Sequence, residues 1–457
     1  MISRLVVFGG SGDLTGRYLL PGLAALRAGG HVGPDFDLVC ADLRDWDDAH
    51  YREWAGDQLE RHAGGVSSRV RRELVERIRY RRVDIRSVDE VSPVVHGGGP
   101  VVVYLALAPA LFPAAIETLR AVKLPAGSRI VLEKPFGQDL AGAQRLNGLL
   151  AEVLPEGSIF RVDHFLAMTT VQNVLGSRLG NRVLESLWNS AHIERMEIIW
   201  DETLTLEGRA GYYDRVGALK DMLQNHLLQL MCLVAMEPPI SFSERDLRDR
   251  KVDVLRSVRP LTDADIGGRT RRGRYTAGRI GQRHVPSYVD EPGVDPGRRT
   301  ETFAEVELRL DNWRWSGTAF ILRSGKALTA DRKEVAVYFR PVPGLPPGCE
   351  GGTEPNVLRF GLDPENITLS LTAVGSSIGS LAPITLTAPI APPELPEYGR
   401  LLLNVLVGDP SLSVRADEAE YAWRVLEPVI SGWDRDLAPL RDYPAGSAGP
   451  GRESGES

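Results

Sequence analysis

Residues 161–168 read RVDHFLAM, an acid and a histidine side by side followed by four uncharged residues. A carboxylate next to an imidazole raises its basicity and fixes its orientation, so Asp163–His164 has the makings of acid–base chemistry. The run Phe165, Leu166, Ala167, Met168 lacks any group that would join it in that work. A second histidine stands in GALKDMLQNHLLQLMCLVAM (217–236), a strong helix pattern. At about 100° per residue, Leu219, Leu223, Leu227 and Leu230 share one broad face with His226 at its edge. Asp221 lies outside that face, about 140° from His226, so the two do not pair along an α-helix. Taken alone, a histidine at a helix edge is more often a satisfied buried polar group than a base, and the residues leave both readings open.

The other chemical stretch is VVFGGSGDLTGRYLLPGL (6–23), with Gly9, Gly10, Gly12 and Gly16. Glycines after a first strand let the backbone turn tightly and approach a pyrophosphate at the next helix's N-terminus. The second strand candidate ends at Asp42, with Arg44 two residues on. An acid there bonds a ribose hydroxyl and favours NAD, whereas an arginine takes a 2′-phosphate and favours NADP. Both are present; the balance leans to NADP, with Arg44 facing the phosphate and Asp42 turned elsewhere.

These residues need a scaffold. Strand candidates at 4–10, 36–42, 101–107 and 129–135 carry consecutive Val, Ile and Leu, as strands buried on both faces of a parallel sheet do. Helical stretches such as 14–28 and 110–123 lie between them, the rhythm of a doubly wound domain. From about residue 161 the texture changes to helices at 168–180 and 217–236, then longer strands at 192–201, 301–310, 316–324, 333–339 and 367–372. Phe303, Val306 and Leu308 alternate with Glu305, Glu307 and Arg309, the pattern of a sheet with one packed and one wet face. The expected fold is an α/β Rossmann-like N-terminal domain (1–160) plus an α+β C-terminal domain (161–444) with a large, mainly antiparallel sheet. Residues 259–300, rich in Arg, Gly and Pro, read as a surface excursion. Residues 445–457 read as a disordered tail.

The chain has 457 residues, 43% hydrophobic and 25% charged, which is ordinary globular composition for two domains. A net charge of −7 argues against a nucleic-acid partner. Cys40, Cys232 and Cys349 sit at no metal-ligand interval, so no metal is expected, and they read as thiols in a reducing compartment. With no membrane-length apolar stretch and no signal-peptide pattern, the expected location is the cytoplasm.

Together these segments resemble the glucose-6-phosphate dehydrogenase family, over nearly the whole chain and in family order. GGSGDL (9–14) matches its nucleotide loop, YLALAP (104–109) a cofactor-side strand, and LEKPFG (132–137) a stretch with a lysine near the reacting centre. RVDHFL (161–166) is similar to its Arg-Ile-Asp-His-Tyr-Leu signature. VQNVLGSRLGN (171–181), EGRAGYYD (207–214), DMLQNHLLQL (221–230), DNWRWSGTAFILRSGKAL (311–328) and VRADEAEYAW (414–423) follow. The resemblance implies NAD(P)-dependent oxidation of a hexose at C1 to its lactone, with His226 as general base and Asp163 holding its imidazole. It implies that His164, Lys134, Glu202, Asp221 and Lys326 bind the sugar. It implies that Gly9, Ser11, Gly12, Asp13, Leu14, Arg44, Pro109 and Lys134 face the cofactor. It also implies assembly through the large sheet into a homodimer or homotetramer.

The departures concern the far end of the sugar. The family's tyrosine after Asp-His is Phe165 here, the lysine four places after His is Met168, and a loop lysine is Tyr18. Each lost charge-assisted bond costs on the order of 1.5–3 kcal/mol. Two would weaken a 6-phosphate by roughly 10²–10⁴-fold unless Arg161, Arg178 or Arg332 replaces them. The alternatives are therefore the same chemistry on an unphosphorylated or otherwise modified hexose, or a non-catalytic nucleotide-binding regulatory relative.

Overall fold

Runs of Val, Leu and Ile form strands wherever both faces of a sheet are to be covered, and the first sheet shows it. The structure, a computed structural model, describes residues 1–349, 353–377 and 379–451. The chain divides into two units. In the first, Arg4–Phe8 lies fully buried at the middle of the sheet. Asp37–Asp42 and Arg79–Arg82 extend it on one side; Val102–Leu105, Arg129–Glu133 and Ile159–Val162 extend it on the other. All of these pairs are parallel, and Ser413–Val414 closes the edge antiparallel to Ile159–Val162. Helices Leu20–Ala28, Asp48–His62 and Phe112–Val122 fall between the strands, as a doubly wound domain requires.

That last strand is a departure from the expected boundary. The first unit holds not only Met1–Ala167 but also Pro239–Asp249 and Pro393–Glu420. Its returning helix, Glu397–Val407, buries Leu401, Leu402, Val405 and Leu406 in the first unit's core. Gly22 meets the backbone of Gly399 so closely that a Cβ would stand 3.0 Å from its nitrogen. The Arg129 guanidinium donates to the carbonyls of Val405 and Leu406, satisfying the helix's last turn.

In the second unit, nine strands among the described residues form one sheet. Its order is Leu381–Pro389, Glu365–Val374, Val357–Leu362, Arg332–Phe339, Ile193–Asp201, Ala319–Gly325, Phe303–Leu308, Thr270–Thr276 and Leu440–Pro444. Two pairs are parallel, Ile193–Asp201 with Ala319–Gly325 and Thr270–Thr276 with Leu440–Pro444; the rest are antiparallel.

Two expectations fail here for one reason. Residues 259–300 are no featureless excursion, since they hold helix Asp263–Arg269 and the inner strand Thr270–Thr276. Arg272 in that strand is 6% exposed, its guanidinium donating to the carbonyls of Trp433 and Ala438 and to Asp436. The tail is ordered from 445 to 451: Gly446 donates to Ala327, Thr329 to Ser447, and Arg271 to the Pro450 carbonyl. Residues 452–457 lie outside the described residues. In both segments polar groups find backbone partners that composition does not reveal. Among the described residues, no helix is long and apolar enough to cross a membrane.

Candidate active site

The first strand feeds a loop shaped for close backbone approach. Gly9 has φ +84°, and a Cβ there would lie 2.1 Å from the Ala106 oxygen, so only glycine fits. Gly9 and Gly10 both donate to the Ala41 carbonyl, Gly12 donates to Gly9, and the Thr15 hydroxyl does the same. The chain then enters Thr15–Leu19, wound as a π-helix, before the regular turns of Leu20–Ala28. Asp13 is exposed and Leu14 partly so, while Ser11 is buried. Pro109 opens a short 3₁₀ turn just beyond Val102–Leu105. This bare-backbone cradle at the C-terminal edge of a parallel sheet fits a dinucleotide pyrophosphate.

Asp42 closes the second strand with both oxygens occupied. One accepts from the Ser11 hydroxyl at 2.6 Å and the Ser11 N–H at 3.1 Å, and the other from Leu43 N–H at 2.7 Å. Arg44 is exposed, and its guanidinium lies 4.8 Å from the ring centre of Trp46. Lys134 follows the last residue of Arg129–Glu133, partly buried. Asp163 is fully buried at the end of Ile159–Val162 and accepts from the Phe165 N–H at 3.1 Å. His164 opens a 3₁₀ turn with Phe165 set edge-on against its ring, the centres 5.1 Å apart. Phe165 is 3% exposed and so buried.

In the second unit, His226 lies buried on Leu219–Leu227, and this segment is π-helical. The Leu228 N–H reaches the Leu223 carbonyl, five residues back. The wider turn brings positions five apart closer round the axis, so Asp221 and His226 lie nearer one another than the α-helical separation of about 140° implies. Asn225 braces the turn: its side chain donates to the Lys220 carbonyl and accepts from the His226 N–H. The Glu301 carboxylate accepts from the Leu219 N–H at 3.0 Å and so caps the segment's start. Gly217, at φ +69°, leaves room for it, since a Cβ there would lie 2.3 Å from a Glu301 oxygen.

The second-unit residues expected at the sugar have these partners. Lys326 Nζ lies 2.7 Å from Glu202 Oε2, and 5.4 Å from the ring centre of Tyr213. Asp221 accepts from the Tyr212 hydroxyl at 3.4 Å and exerts its charge on Tyr213. Burial, with Asp221 second, pushes both tyrosine hydroxyls well above their ordinary range. Met168 is partly exposed at the N-cap of Thr169–Leu179. Tyr212 and Tyr213 had no role assigned from sequence, although EGRAGYYD marked their position.

The three arginines named as substitutes at the sugar's far end have partners of their own. Arg161 bonds Asn147 and Glu156, Arg178 bonds the carbonyls of Leu233 and Met236, and Arg332 bonds Glu197 and Glu334.

Two family models match the chain: glucose-6-phosphate dehydrogenase, NAD binding domain, over residues 6–173, and glucose-6-phosphate dehydrogenase, C-terminal domain, over 175–455. The chain belongs to the glucose-6-phosphate dehydrogenase family. The glucose-6-phosphate 1-dehydrogenase of Mycolicibacterium smegmatis is 42% identical over 97% of this chain and 94% of its own length. That of Zymomonas mobilis is 36% identical over 98% and 96%. A solved glucose-6-phosphate dehydrogenase in complex with its substrate glucose-6-phosphate superposes with a TM-score of 0.87 at 29% identity, covering 98% of this chain and 95% of that one. As a glucose-6-phosphate dehydrogenase family member, the chain is an NAD(P)-dependent oxidoreductase that oxidises a hexose at C1.

Proposed function

We propose that the chain oxidises glucose 6-phosphate at C1 to its lactone, with NADP preferred over NAD. The observation that carries this reading is the retention of Lys134, Asp163, Glu202, Asp221, His226 and Lys326 in family order, with Glu202 and Lys326 joined at 2.7 Å. His226 takes the proton from the C1 hydroxyl, and Asp163 steadies the imidazolium that results; such a base contributes roughly 10²–10⁴ in rate. Lys134 serves between cofactor and sugar, Glu202, Asp221 and Lys326 bond the sugar hydroxyls, and His164 attends the far end. Bound NADP supplies the hydride acceptor for C1. Gly9, Ser11, Gly12, Asp13, Leu14 and Pro109 form its cradle. Arg44 meets the 2′-phosphate, a reading supported by Asp42 being occupied by Ser11 and Leu43.

The second reading is the same chemistry on an unphosphorylated or otherwise modified hexose. Phe165, Met168 and Tyr18 stand where the family grips phosphate, and Arg161, Arg178 and Arg332 are paired elsewhere. Steady-state kinetics with glucose 6-phosphate, glucose, and amino- and deoxy-sugars decides between them. A micromolar KM for glucose 6-phosphate upholds the first reading, and a higher kcat/KM for glucose upholds the second.

A homodimer or homotetramer through the large sheet completes the reading. Its edge strand Leu381–Pro389 carries no charged residue and exposes Ile384 and Leu386. The composition suits work in the cytoplasm. Sedimentation at two protein concentrations tests the assembly.

A further inference from the structure

Two tyrosines of the first unit converge on Glu133, the residue that ends its strand and directly precedes Lys134. Tyr104, from Val102–Leu105, donates its hydroxyl to Glu133 at 2.5 Å. Tyr398, near the start of the returning helix Glu397–Val407, bonds the same carboxylate. The Tyr398 ring lies 5.9 Å from the His164 ring at 23°, and 5.1 Å from the Tyr18 ring at 34°. One side chain thus touches the group beside Lys134 with its hydroxyl and the far-end histidine with its face.

The charged and titratable groups acting on Glu133 are Tyr104 on the neighbouring strand, Tyr398 on the helix, Asp163 just past the end of the strand on its other side, and Lys134 next in the chain. Burial pushes the Glu133 carboxyl up to about 7; the two tyrosine hydroxyls pull it down, Asp163 pushes it up, and Lys134 pulls it down. Ionised, the carboxylate accepts from both tyrosines at once. Protonated, it loses strength as an acceptor and releases its hold on one of them. Burial lifts both hydroxyls far above neutrality, so the tyrosines remain donors throughout.

We propose that Tyr398 is a positioning residue of the sugar site, anchoring the chain at Lys134 through Glu133 and holding the His164 ring by stacking. This rests on the roles given above to Lys134 and His164. Its consequence is that turnover follows the ionisation of Glu133: the anchored geometry forms as pH rises through neutrality and loosens below it.

Tyr398→Phe keeps the ring and removes one donor to the ionised carboxylate, so Glu133 ionises at higher pH. The acid limb of kcat should move up by about half a pH unit or more, with the sugar's KM within about twofold of the parent's. Tyr398→Leu removes the stack as well and should raise that KM by about fivefold or more. NADPH fluorescence titration and the thermal midpoint report whether each variant is folded. A Tyr398→Phe profile that superimposes on the parent's, or one that falls equally at every pH, overturns the proposal. Full turnover by His226→Ala would instead sink the reading of the site itself, whatever Tyr398 does.

Discussion

Ser11 gives both its hydroxyl and its backbone N–H to one oxygen of Asp42, at 2.6 and 3.1 Å. The acid that would bond a ribose is thereby tied to the glycine loop, while Arg44 stays exposed beside Trp46. Arg44→Ala should raise the KM for NADP by about tenfold or more and leave that for NAD within about twofold. Equal effects on both cofactors, read from initial rates, would remove Arg44 from the 2′-phosphate.

Met168→Lys should lower the KM for glucose 6-phosphate by roughly 10–100-fold, since one charge-assisted bond is worth about 1.5–3 kcal/mol. The KM for glucose should hardly change. An unchanged KM for the phosphorylated sugar would place Met168 away from its phosphate.

His226→Ala should reduce kcat by roughly 10²–10⁴-fold, the usual worth of a general base. The NADPH dissociation constant, read by fluorescence, should be unaltered, because the cradle belongs to the loop at Gly9. Turnover near the parent's level would end the assignment.

Glu301 carries a pH-dependent cost. Burial pushes its carboxyl up from 4.5 to about 7, with the Leu219 N–H, Arg272 and Lys220 opposing. The folded state therefore holds this proton more tightly than the unfolded chain, and stability falls as pH rises from about 4.5 to about 7, then levels. Glu301→Gln keeps an acceptor for Leu219 and removes the titration. Thermal midpoints across that range should lose part of their downward slope, and an unchanged slope would assign it to other groups.

Strands covered on both faces were readable because burial selects Val, Leu and Ile at consecutive positions, as in Arg4–Phe8. The alternation of Phe303–Leu308 was equally plain, although Glu305 is buried too, paired bidentately with Arg271. Thr270–Thr276 was hidden because its buried Arg272 is satisfied by carbonyls contributed by Trp433 and Ala438. No local pattern announces partners so distant in sequence. The family was legible through its motifs, whereas the winding that carries His226 was not. Leucines at helical spacing suit an α-helix and a π-helix alike, and only backbone bonding such as Leu228 to Leu223 separates them. Tyr398 was missed for a related reason: nothing near LPEYGR indicates that it meets Glu133.

The return of Pro393–Glu420 to the first unit bears on how the molecule is made. Domains generally acquire structure as they leave the ribosome, the N-terminal one first. Here the nucleotide unit must wait, because the helix that fills one side of its core is synthesised only after the stretch 250–392 of the second unit. Until then the apolar surface around Leu19, Leu20 and Leu23 lacks its cover, and the nascent chain is a natural client for chaperones during that interval. A transcript cut short before residue 393 would therefore release a defective nucleotide unit, even with every strand from Arg4 to Val162 complete.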